Sequence, residues 1–262
     1  MTGAAGMMAL VLGETAAGGA GFLFLTPLWS EVRRGLFYLT GAVVLVLAAG
    51  AAGAATVASR ASSSSAARMA VMLSIVLASA TFVWLLLMIF RLQLVARAVG
   101  IVTVPIGLAV LFAFARTGRE GLALSFVQLL AGAAFTGAVL DGLLLGHWYL
   151  TDRKLTRGPI NRMAWLLIAS VALEAAAVIA GGFGPSTSAR RSTVINPLLT
   201  IAGNSAWIAI GMVACTALIA VMIRLTLRGQ RPTAVQSATG FFYLAVITAF
   251  TAELAAKVGF LS

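Results

Sequence analysis

Apolar runs of about 20 residues recur eight times along this 262-residue chain, at approximately 4–26, 36–58, 67–90, 96–115, 122–148, 162–182, 195–224 and 236–260. As helices rising about 1.5 Å per residue, each crosses a bilayer hydrocarbon core of about 30 Å. Lipid offers the backbone no hydrogen-bond partner, so a chain that is largely apolar run must close its hydrogen bonds internally, which a helix does within one segment. The expected fold is all-α: a polytopic membrane protein with eight transmembrane helices. With 61% hydrophobic and 10% charged residues, the chain has lipid as its main solvent. The breaks between runs are too short for a soluble domain. No basic residue precedes Arg33 and no cleavage-site pattern follows a short apolar core, so Met7 to Leu25 is expected as a retained helix.

The net charge of +11 would point to nucleic acid in a soluble domain. Here Arg and Lys fall almost entirely in the breaks, where they anchor helix ends at headgroups, and no basic-aromatic surface or nucleic-acid motif accompanies them. The bilayer is therefore the expected partner and nucleic acid is not. The first, third, fifth and seventh connections carry most of these cations, with Arg153, Lys154, Arg157 and Arg162 in the richest. By the positive-inside rule those connections face the cytoplasm and both termini lie outside it. An abundance of Arg over Lys, with much Ala and Gly, suits a GC-rich bacterial genome and hence a bacterial inner membrane.

Three short segments of the first half reappear in order in the second. Gly21-Phe22-Leu23-Phe24-Leu25-Thr26 reads against Gly146-His147-Trp148-Tyr149-Leu150-Thr151, and Met88-Ile89-Phe90-Arg91-Leu92 against Val221-Met222-Ile223-Arg224-Leu225. Leu108-Ala109-Val110 reads against Leu244-Ala245-Val246. The pattern predicts an internal duplication of a four-helix unit, 1–121 and 122–262. An even number of spans re-enters the membrane in the same sense, so two parallel four-helix bundles are expected. Counted from the matched glycines, Glu14 and Asp141 should stand at similar depths in equivalent helices.

Glu14, Asp141, Glu174 and Glu253 all lie inside apolar runs. Each costs about 2.5–3.5 kcal/mol at the centre of a membrane helix on insertion scales, so a polar, paired or hydrated interior is expected. Glu14, Asp141 and Glu174 are candidate proton-relay groups, and each has a plainer reading as a neutral acid tying helices together. Glu253 precedes Lys257 by one turn, the favourable order for a same-helix ion pair, and is otherwise a candidate ligand-binding group. His147 falls in Gly-His-Trp-Tyr at a membrane boundary, either as an interfacial residue or as a proton donor to a bound ligand. Asn204, inside the seventh run, is a candidate hydrogen-bond donor to a ligand carbonyl. No metal-ligand spacing is present. With one cysteine, Cys215, and one histidine, the chain by itself can hold neither a bis-histidine haem nor a cysteine-ligated cluster, so any redox metal belongs to a partner.

The opening Gly13 to Phe24 (GETAAGGAGFLF), heading two expected four-helix bundles, resembles the polysulfide-reductase membrane-subunit (NrfD-like) family. This chain is short for that family and has Ser59-Arg60-Ala61-Ser62-Ser63 where an Asp-Leu-Gly-Arg-Pro-like segment is usual. The resemblance implies a non-covalently bound menaquinone or ubiquinone near Glu14 and an iron–sulfur or cytochrome redox subunit docked on one face. Three functions are consistent with the sequence: a quinone-interacting, proton-relaying membrane subunit of a multisubunit oxidoreductase; a small proton-coupled secondary transporter; and a non-catalytic assembly or scaffold protein. No nucleophile motif, P-loop, zinc spacing or aspartate-rich prenyl-diphosphate motif points to a hydrolase, an ATPase or a prenyltransferase.

Overall fold

A computed structural model describes residues 3–60, 64–118, 120–152, 154–182, 204–229 and 233–261. Its elements are α1 (Gly3–Leu25), the single-turn α2 (Leu28–Glu31), α3 (Arg34–Ser59), α4 (Ser65–Ile89), α5 (Gln93–Ala115), α6 (Leu122–Thr151), α7 (Gly158–Gly181), α8 (Ser205–Arg228) and α9 (Ala234–Leu261). No strand occurs among the described residues. Eight of these helices, all but α2, are long and apolar enough to cross a membrane. The protein is a multi-pass helical membrane protein.

Local chemistry sets several helix ends. Pro159 sits in the first turn of α7, where its missing N–H would have had no helical partner. Gly182 ends the same helix at φ 81, a left-handed conformation that glycine adopts without a Cβ penalty. Inside the spans, Thr15, Ser74, Thr81, Thr136, Ser170 and Thr239 each donate a side-chain hydrogen bond to the carbonyl four residues back. Their hydroxyls are thereby satisfied without water. Thr216 does the same and also bonds Thr248 across α8 and α9 at 2.7 Å.

Packing follows side-chain size. Helices α1, α3, α4 and α5 close one ring, each touching the next, and α6, α7, α8 and α9 close a second with the same neighbour order. The rings join mainly through α1 against α6, with α9 also touching α1. Seventy-two per cent of the α1 span is buried, against 28% for α4 and for α8, which makes α1 a central helix and those two peripheral. Glycine makes the central contact possible. A Cβ at Gly18 would stand 1.8 Å from the Ala133 carbonyl oxygen, and one at Gly137 would stand 2.4 Å from the Gly18 carbonyl carbon. The two backbones thus touch directly, as small residues allow in membranes.

This contact corrects the expected depths of two acids. It sets Glu14 against Gly132, whereas Asp141 lies nine residues further along α6, about 13 Å of helix rise. The matched glycines misled because α6, at 30 residues, is longer than α1, at 23, and the helices meet at Gly18 and Ala133–Gly137 instead of at Gly21 and Gly146. The seventh span also differs. It was expected at 195–224 with Asn204 inside; the helix begins at Ser205, Asn204 precedes it and is exposed, and 195–203 lie outside the described residues.

On the membrane face opposite the termini, two ion pairs tie the connection after α1 to the connection after α6 and the start of α7. Glu31 receives both terminal nitrogens of Arg162, at 2.8 and 3.0 Å, and Arg33 Nε lies 3.3 Å from Asp152 Oδ2. The Arg162 side chain holds the exposed Glu31 carboxyl below its ordinary range.

Candidate functional site

Three of the four intramembrane acids meet. Glu14 of α1, Glu253 and Lys257 of α9, and Glu174 of α7 are each at most 2% exposed. Lys257 Nζ lies 2.8 Å from Glu14 Oε1 and 3.0 Å from Glu253 Oε2. The pair within α9 is the one its spacing predicts, one helical turn apart. The bond to Glu14 spans the two rings and joins the first helix to the last. Glu174 interacts with both Glu253 and Lys257 from α7. Four ionisable side chains from three helices therefore share one buried site.

The fourth wall is backbone. A Cβ at Gly132 of α6 would stand 2.9 Å from Glu14 Oε1 and 2.9 Å from both oxygens of Glu253, closer than real Cβ atoms approach. Glycine at this position lets two carboxyls converge on α6. Thr136 does not add a donor there, because its hydroxyl is given to the Gly132 carbonyl at 2.8 Å. Among the described residues, Glu14 Oε2 and Glu174 Oε2 are buried without a hydrogen-bond partner. If all three acids were ionised, a single ammonium would leave two negative charges uncompensated in a low-dielectric core. Such a site is stable only with added protons or a cation.

Beside this cluster runs an apolar cavity of about 360 Å³ lined by α1, α5, α6 and α7. Ala17 and Gly18, one turn from Glu14, form one end of its lining; Leu111, Ala133 and Leu166 form its sides, and Thr26 is its one hydroxyl-bearing residue. That hydroxyl donates to the Phe22 carbonyl at 2.6 Å. The cavity thus presents apolar surface to any occupant.

The remaining candidates lie elsewhere. Asp141 is buried on α6, near Gly19 of α1, away from the cluster. His147 is exposed in the last two turns of α6, on the membrane face of the Glu31–Arg162 pair. Asn204 is exposed at the start of α8, where its carbonyl accepts the Ile208 N–H. Sequence reasoning treated Lys257 as an explanation for Glu253 and missed it as the hub. The available signal was its position, a lysine inside the last apolar run while other cations gather in the breaks. Gly132 gave no signal among so many glycines.

Compared with protein families, curated proteins and solved structures, the chain matches none.

Proposed function

We propose that this protein is an integral membrane subunit that handles protons at the Glu14–Lys257–Glu253–Glu174 site while engaging a quinone or quinol, within a multisubunit oxidoreductase. The observation that carries the reading is the surplus of carboxyls over ammonium at a buried site, which makes proton binding a condition of its stability. A carboxyl that must gain a proton to be neutral can also give one up, and quinone reduction consumes two protons for each pair of electrons. The apolar cavity whose lining reaches Ala17 and Gly18, one turn from Glu14, supports a lipid-borne partner, since an isoprenoid tail needs apolar surface. Menaquinone and ubiquinone both meet that description. The electrons would come from a partner carrying an iron–sulfur or haem centre.

The test is binding of a quinone analogue to the purified protein, together with co-purification of a redox subunit. Glu14→Gln should abolish analogue binding while the protein stays folded. Retention of full binding in that variant would overturn the reading. A second reading, a proton-coupled transporter, is favoured by one feature: the Lys257–Glu14 bond ties the two rings together, so protonating Glu14 would loosen the contact between them. It predicts solute movement coupled to protons in vesicles that contain this chain alone.

A further inference from the structure

We infer that Asp141 is a second proton-binding site, loaded and unloaded independently of the Glu14–Lys257 cluster. This goes beyond the quinone reading and does not depend on it.

A buried acid kept for structure has a partner: an intramembrane carboxyl that ties helices together donates its proton to a carbonyl or hydroxyl, or pairs with a cation. Asp141 pairs with no cation and accepts no hydrogen bond among the described residues. It is 4% exposed, and both of its oxygens are buried without a hydrogen-bond partner among the described residues. Around it stand Leu140 of its own helix and Gly19 of α1, with Val44 of α3 packed on the same glycine. The Cβ missing at Gly19 would have been 3.8 Å from Asp141 Oδ1, so Gly19 itself sets no side chain against the carboxyl. An ionised carboxylate in such a place is held at high cost, whereas the neutral acid is tolerated, so the group carries a proton at rest.

Separation from the cluster is set by the helices. Along α6 the distance from Gly132 to Asp141 is nine residues, about 13 Å, and along α1 from Glu14 to Gly19 it is five, about 7 Å. Either exceeds the roughly 3 Å over which a proton passes directly between two groups. Between the two levels lies the Gly18 contact with Ala133 and Gly137, where backbones touch. Gly132 is ten residues from the start of α6 and Asp141 ten from its end, so the cluster lies nearer the membrane face of the termini and Asp141 nearer the opposite face. Of the titratable groups on the helices around the seam, Glu14 on α1, Glu253 and Lys257 on α9 and Glu174 on α7 belong to the cluster; Tyr38 of α3 and Tyr149 of α6 donate their hydroxyls to the Met88 and Thr156 carbonyls, and His147 further along α6 is exposed.

Infrared spectroscopy of the purified protein tests this through the carbonyl stretch of protonated carboxylic acids. Asp141→Asn should remove one component of that band. In wild type, the same component should shift on transfer to heavy water, and it should do so equally fast in Glu14→Gln and in Lys257→Met. Three results would overturn the inference: no loss of acid intensity in Asp141→Asn, a component that never exchanges, or an exchange rate that falls when the cluster is altered. Because the readout contains no quinone, failure of analogue binding in Glu14→Gln leaves it unaffected, and the two proposals fail separately. Asp141→Glu, which keeps the acid, should retain an exchangeable band and guards against loss of the band through misfolding.

Discussion

The two ends of the α1–α6 seam hold the same chemical group in opposite circumstances. At the Glu14 end, a lysine from α9 and a second carboxyl complete a charged site, and a glycine makes room for it. At the Asp141 end, the carboxyl pairs with no cation and accepts no hydrogen bond among the described residues. The difference shows that burial alone does not define a site here. Where counter-charge is supplied, the acid becomes part of the fold's stability; where it is not, the acid is a tolerated cost whose retention asks for a function.

Four substitutions probe this contrast. The largest effect should come from Lys257→Met, which strands Glu14, Glu253 and Glu174 without their ammonium; removing one partner of a buried pair typically costs about 3–5 kcal/mol. Unfolding in detergent, followed by circular dichroism, would read it, and adding Glu14→Gln should restore part of the loss. Next, Gly132→Ala should cost about 1–3 kcal/mol, because the new methyl would press on both carboxyls against a packed backbone. A stability equal to wild type would show that the carboxyls do not converge on α6. Asp141→Asn should change stability by less than about 1 kcal/mol, since no partner loses a bond. A large destabilisation there would reveal a partner and erase the contrast between the two ends.

The smallest effect belongs to the exposed pair of Glu31 and Arg162, worth about 0.2–1 kcal/mol at most. Its sign with pH is fixed. Arg162 holds the Glu31 carboxyl below its ordinary range, so its contribution is complete above the unfolded-state value and fades as pH falls through the lower folded one. Glu31→Gln should therefore narrow the stability difference between neutral and acidic solution, which thermal unfolding at the two conditions would show.

Much of this architecture was legible in the sequence because lipid imposes length and polarity on every span. The eight spans expected from apolar runs correspond to eight long apolar helices, with described ends shifted by a few residues; the upstream part of the seventh run, 195–203, lies outside the described residues. The Glu253–Lys257 pair was legible too, being a local spacing. What was hidden is non-local: Glu14 and Lys257 are 243 residues apart, and nothing in their surroundings names the other as partner. The levels of Glu14 and Asp141 were misread for the same reason, since depth depends on where two helices touch and not on how many residues separate each acid from a matched glycine.

The central claim is that Glu14 and Lys257 act as one unit across the two rings. A double-mutant cycle of Glu14→Gln and Lys257→Met on unfolding free energy measures this directly. The account predicts a coupling of about 0.5–3 kcal/mol, with the double variant more stable than the sum of the single losses implies. Strict additivity would contradict it, leaving each group satisfied separately by its own helix contacts.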